Sequence, residues 1–135
     1  MYNDHRMELL AYDRVHLDRV VALAAAEGWA SYPEDPERAH RSFVAPGVTT
    51  VVALAEEQVV GLAVLQSDGE IQAHLSLLLV APSHRRIGLG RRLLGEGFMR
   101  AGGQRIDLVT DSAGAFYEAL PHKRLSGYRL YPETT

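Results

Sequence analysis

The chain has 135 residues and a mass of 14.9 kDa, a length that favours one domain over residues 1–135, because domains commonly run to about 100–150 residues around one core. With 47% hydrophobic and 23% charged residues it matches a soluble globular protein and not a disordered, collagen-like or membrane chain. A net charge of -3 and the absence of cysteine argue against a general affinity for nucleic acid and exclude disulfides, cysteine metal sites and a thiol nucleophile.

Residues 1–10 carry Asp4, Arg6 and Glu8 without an apolar run and do not read as a signal peptide. No stretch approaches the roughly 20 apolar residues of a membrane span, so the expected compartment is the cytoplasm. Residues 7–12 (MELLAY) suggest a first strand ending near Asp13. From Val15 apolar residues recur at helical spacing, with Asp13 placed to cap the helix and Gly28 to close it. Residues 29–36 (WASYPEDP) read as a loop, and Asp35 followed by Pro36 as the start of a short second helix that ends before Pro46.

Three β-rich runs come next, at 49–55, 59–66 and 71–80, and the short gaps between them, one holding Asp68-Gly69, predict an antiparallel meander. The third run carries Leu75, Leu77, Leu78, Leu79 and Val80, as expected of a central strand covered on both faces. A helix at 89–101, a strand at 105–110, a short helix at 113–120 and a last strand at 128–131 complete the pattern. The strand–helix–strand around 71–110 predicts a parallel pair.

The segment between the third strand and the helix after it is built like an anion site. Backbone N–H groups in the first turn of a helix lack internal partners and face the positive end of the dipole, and Gly88 and Gly90 would let a phosphate come close. The Gly-Lys-Ser/Thr of a Walker loop is missing, and the dinucleotide pattern G-x-G-x-x-G would need glycine where Leu93 stands. The segment does fit R-x-x-G-x-G, Arg85 to Gly90, preceded by V-x-P at Val80 to Pro82 and continued by Leu93-Leu94. With these residues the chain resembles the GCN5-related N-acetyltransferase (GNAT) family, and Phe116-Tyr117-Glu118 ahead of Gly127-Tyr128 resembles that family's FYE segment. The order of elements extends the likeness to nearly the whole chain.

The resemblance implies an α/β fold: a mixed, mostly antiparallel sheet of six to seven strands flanked by about four helices, with a splayed parallel strand pair holding acetyl-CoA. It implies that Leu78, Leu79 and Val80 form a bulged strand whose backbone pairs with the pantetheine arm and polarises the thioester. Arg85, Arg86, Ile87, Gly88, Leu89, Gly90 and Arg91 would form the pyrophosphate loop, with Arg92 also within reach. Tyr117 would protonate the leaving thiolate, since a phenol of pKa about 10 can donate to a thiolate of about 8.5 once beside it. His74 stands eleven positions before Arg85, where one branch of the family places its basic glutamate. A neutral imidazole there could take the proton that an amine of pKa about 10.4 must lose.

Trp29 and Tyr32, with Glu34 and Asp35, would receive a cationic amine acceptor. The histidines show no metal-ligand spacing, so no metal is expected. Two features depart from the family pattern. Arg86 stands where glycine is common, which is tolerable if its backbone is not left-handed, and only one clear strand comes after the last helix. The short edge near Tyr128 to Tyr131 could be closed by a second copy, giving a homodimer. The alternatives are a catalytically inactive acyl-CoA-binding module and a nucleic-acid-binding domain. The latter would rest on His84, Arg85, Arg86, Arg91 and Arg92, a patch that is local and lacks a ladder of stacking aromatics.

Overall fold

Side-chain alternation along three consecutive strands fixes the layers of the molecule, which a computed structural model describes over residues 7–133. Strand β2 (Val48–Ala55) pairs antiparallel with β1 (Met7–Ala11) on one side and with β3 (Gln58–Ser67) on the other, and β3 pairs antiparallel with β4 (Gln72–Val80). Successive residues point to opposite faces of a sheet. Val52, Leu62 and Val64 therefore meet one apolar cluster, while Val51, Ala53, Ala63 and Leu65 meet another. Helix α1 (Leu17–Ala26) covers the first face with Leu17, Val20, Leu23 and Ala24, helped by Ala39 and Phe43 of α3 (Pro36–Phe43). Helix α4 (Leu89–Ala101) covers the second with Leu89 and Leu93.

The helix ends obey the capping chemistry of the sequence. Asp13 precedes a 3-10 turn, Arg14–His16, that leads into α1, and its N–H donates to Nδ1 of the buried His16 at 2.9 Å. Asp35 Oδ1 accepts from the Arg38 N–H at 3.1 Å, with Pro36 opening α3. Residues 29–36, expected as a loop, contain a turn of helix, α2 (Ser31–Glu34). Its Tyr32 ring lies flat on Phe43, centroids 5.6 Å apart and planes within 5°, a packing term that local composition does not display.

Strand β4 carries one extra residue. Val64 pairs with Leu77 and Leu65 with Leu75, so Ser76 is unmatched, and its hydroxyl donates to the Val64 carbonyl at 3.1 Å. The bulge inverts the strand: Ala73 and Leu75 pack on the α4 side, whereas Leu77 and Leu79 pack on the α1 side. That inversion, with helices on both faces, accounts for the nearly unbroken leucine run.

The sheet ends sooner than expected. Strand β5 (Arg105–Asp107) is three residues long, and it pairs parallel with Gln72, Ala73 and His74 only. The described residues form one five-stranded sheet in the order β1-β2-β3-β4-β5, not six to seven strands, with five α-helices where about four were expected, the last being α5 (Gly114–Glu118). The strand expected at 128–131 is absent. Tyr128, Leu130 and Tyr131 are instead 86%, 88% and 75% exposed.

Two glycines of the α4 region should respond in opposite directions to alanine. Gly102 ends α4 at φ 78°, and a Cβ there would lie 2.9 Å from the Gly69 carbonyl oxygen, so Gly102→Ala should cost about 1–3 kcal/mol. Gly95 lies inside the helix with open space around a Cβ, so Gly95→Ala should add about 0.5–1 kcal/mol. Urea unfolding of both variants reads the two signs.

Candidate functional site

The register of β3 and β4 decides which backbone groups are free. Ala81 donates its N–H to the Val60 carbonyl at 2.8 Å, and the pairs Val80 with Gly61, Leu79 with Leu62 and Leu78 with Ala63 continue that register. In an antiparallel ladder, bonded and non-bonded pairs alternate. The main-chain groups of Leu79 and Leu77 therefore turn towards β3, and those of Leu78 and Val80 turn outward. On that outer side β5 has already ended, so the edge of β4 beyond His74 has no strand beside it among the described residues. The expected trio thus divides: Leu79 is tied to β3, with its side chain buried on the α1 face, while the main chain of Leu78 and the N–H of Val80 present the open edge, the Val80 carbonyl being taken by Arg85. The bulge itself sits at Ser76 and not at Leu78 to Val80.

The open edge runs directly into the loop. A 3-10 turn, Pro82–His84, leads to Arg85 in extended conformation, Arg86 at φ 65°, and Gly88 at φ 82° as the cap of α4. The first helical bond there is donated by Arg92 to the Gly88 carbonyl at 3.1 Å, and among the described residues no side chain caps the helix. The N–H groups of Leu89, Gly90 and Arg91 thus belong to an open first turn. A Cβ at Gly88 would meet nothing within 4 Å, so glycine is required there by its backbone angle and the space above it is free. Gly90 has a different reason: a Cβ would lie 3.2 Å from the Phe116 ring, so its smallness admits α5 against the start of α4.

The arginines divide into two kinds. Arg85 is already engaged, donating from Nε to the Val80 carbonyl at 3.0 Å and pairing through its guanidinium with Glu27. It is not available to a phosphate in the way its neighbours are. Arg86, Arg91 and Arg92 are exposed and make no ion pair among the described residues, and Ile87 is also exposed. Arg86 does adopt the left-handed conformation that its non-glycine side chain disfavours.

Tyr117 is half-buried and packs against the α4-side cluster that also receives Leu78, Val80 and Leu89. Its ring meets Phe116 edge-on at 4.9 Å. Burial raises its phenol above the ordinary 10.0, which keeps the hydroxyl protonated at neutral pH. His74 is half-buried at the last paired position of β4, opposite Asp107. Since Ala73 and Leu75 face α4, His74 points to the other face, on which Tyr32 also packs. The structure does not bring His74 and Tyr117 together. Trp29 is 39% exposed beyond α1, Glu34 lies on α2, and Asp35 is spent as a cap.

A family model for the acetyltransferase (GNAT) domain matches residues 46–120, more than half of the chain, from the start of β2 to just beyond α5. The chain belongs to the GNAT acetyltransferase family. Solved structures agree on the fold. An acetyltransferase of Trypanosoma brucei is 20% identical, with a TM-score of 0.71 over 92% of this chain and 99% of that one. The enzyme AAC(6')-Iy in complex with the bisubstrate analogue CoA-S-monomethyl-acetylneamine is 16% identical, with a TM-score of 0.76 over 96% and 99%. The same aminoglycoside N-acetyltransferase in complex with CoA is 17% identical, with a TM-score of 0.77 over 94% and 94%. Among curated proteins, none matches the chain in sequence. No helix among the described residues is long and apolar enough to cross a membrane.

Sequence reasoning missed Glu27 as the partner of Arg85. The two are 58 positions apart, and only the fold places the end of α1 beside the GNAT loop. The unliganded protein should show the effects of both loop strain and tyrosine burial. Arg86→Gly removes a left-handed side chain at φ 65° and should raise stability by up to about 1 kcal/mol, read as a higher urea midpoint; a lower midpoint would contradict the strain. Burial also raises Tyr12 and Tyr32 above 10.0, so above pH 10 the unfolded chain releases protons that the folded chain retains. Stability should therefore fall as pH rises past 10, and Tyr117→Phe should flatten that fall.

Proposed function

We propose that this GNAT domain is an N-acetyltransferase that transfers the acetyl group of acetyl-CoA to a primary amine by direct attack in a ternary complex. The observation that carries this reading is the continuity of two backbone surfaces. The outward main-chain groups of Leu78 and Val80 lead straight into the open first turn of α4. The two suit an amide-bearing arm that ends in a pyrophosphate, because the strand edge offers amide-pairing groups and the helix terminus offers unpaired N–H donors. The free space above Gly88 fits the same molecule.

When bound, acetyl-CoA supplies an activated acetyl group on a thiolate leaving group. The N–H groups of Gly88 to Arg91 hold phosphate oxygens, with Ile87 and Leu89 shaping the loop and Arg86, Arg91 and Arg92 adding charge-assisted bonds. The main chain of Leu78 and the N–H of Val80 bind the pantetheine arm and polarise the acyl carbonyl. Tyr117 holds a proton on its hydroxyl oxygen and passes it to the departing sulfur, a role supported by its place in the cluster of Leu78 and Val80.

His74 takes a proton from the amine at an imidazole nitrogen. It acts from the other face of β4, so donor and acceptor approach from opposite sides of one strand. Tyr32, which packs on the same face of the sheet as His74, and Trp29, just beyond α1, receive the cationic acceptor with the help of Glu34. The AAC(6')-Iy complexes make aminoglycosides one natural class to include among candidate amines.

Thiol release should be monitored with acetyl-CoA against aminoglycosides, polyamines, lysine peptides and free N-termini. Turnover with at least one class is expected, with Tyr117→Phe lowering kcat about 100-fold at little cost in acetyl-CoA KM. His74→Ala should lose rate at neutral pH and recover it at higher pH, where the amine sheds its proton unaided. Acetyl-CoA binding without turnover on any amine would contradict the enzyme reading and mark an acyl-CoA-binding module.

A further inference from the structure

We propose that Glu27 is a positioning residue for the cofactor loop, acting on it through Arg85. The inference rests on the proposed acetyl-CoA site. Glu27 stands directly after the last residue of α1, at the negative end of that helix, where a carboxylate is electrostatically disfavoured unless a cation answers it. The Arg85 guanidinium does so. The Glu27 side chain is 18% exposed against 50% for Arg85, so the carboxylate is the enclosed partner and the arginine reaches in to it.

Arg85 has a second grip. Its Nε donates to the carbonyl of Val80 at 3.0 Å, the last residue of β4, on the outward side of the strand. One guanidinium thus joins the end of α1, the end of β4 and the loop. The position of Arg85 matters because of its neighbour. Arg86 is held at φ 65°, a conformation a non-glycine residue does not keep unless its surroundings impose it. The direction of the N–H groups from Arg86 to Arg91 depends on that turn. Fixing the residue immediately before it fixes the donors that face the phosphates, so Glu27 pre-orders the loop before the ligand arrives.

The clasp also reaches towards the acceptor side. Gly28 turns at φ 85°, and the Trp29 N–H bonds back to the Ala24 carbonyl at 2.9 Å. The carboxylate that holds the donor loop therefore sits two residues before the exposed indole assigned to the amine.

The test compares Glu27→Ala and Glu27→Gln with the wild type in two assays. Surface ion pairs contribute up to about 1 kcal/mol, a factor of about five in an equilibrium constant. Glu27→Ala should accordingly raise the acetyl-CoA KM about three- to fivefold while kcat stays within twofold. Glu27→Gln, which keeps an oxygen acceptor for Arg85, should recover part of the loss. In the unliganded protein, backbone 15N order parameters at residues 86–91 should fall in Glu27→Ala while those of the sheet stay unchanged. Unchanged KM together with unchanged order parameters in the loop would overturn the proposal, as would a loss confined to kcat. If the wild type fails to bind acetyl-CoA, the functional reading falls, and the order parameters still decide whether Glu27 orders the loop.

Discussion

The constraint on which the rest depends is the early end of β5. A central strand normally has both edges satisfied, because unpaired main-chain groups inside a sheet are costly. Here β4 has a neighbour on its outer side for three residues only, and its last outward groups at Leu78 and the Val80 N–H have no strand to pair with. The sheet is otherwise completed conventionally: four antiparallel strands, apolar residues on both faces, and helices over each. The unpaired edge is therefore a local feature inside a well-packed frame, and that combination makes a backbone binding surface rigid enough to be selective.

The bulge at Ser76 gives this edge its sidedness. An extra residue in mid-strand lets His74 face the α1 side while Leu78 and Val80 send their side chains to the α4 side with Tyr117. The two candidate proton-handling groups are thereby kept on separate faces of one strand, which suits a reaction in which an amine arrives from one side and a thiolate leaves on the other. At the top of the same strand, Arg85 closes the Val80 carbonyl and leaves the first turn of α4 open. The loop is held by an ion pair to Glu27 at the end of α1, and among the described residues no side chain caps the helix that follows it; the GNAT family match covers the loop and α4 but begins after α1.

Much of this is legible in the sequence because it depends on local patterning. The meander, the helix after Pro82, the Asp35 cap and the R-x-x-G-x-G loop all arise from hydrophobic period and turn chemistry within a few residues of one another. The features that do not show themselves depend on contacts between distant segments. Tyr32 stands in a helical turn with its ring stacked on Phe43, and Gly90 is small where Phe116 lies across it. Arg85 looks like a phosphate ligand until the fold places Glu27 beside it. The strand pattern at 128–131 joins no ladder, and residue types alone could not tell which of Leu78, Leu79 and Val80 would face outward. A single bulged residue decides that, and the leucine run conceals it.

The most direct measurement is an amide chemical-shift map of the protein titrated with CoA. A bound CoA should shift or protect the N–H resonances of Leu78, Val80 and Gly88 to Arg91 together, with Leu77 and Leu79, whose amides are bonded to β3, little affected. Perturbations confined to other surfaces, or none at saturating CoA, would contradict the assignment of the open β4 edge and the α4 terminus as one continuous cofactor site.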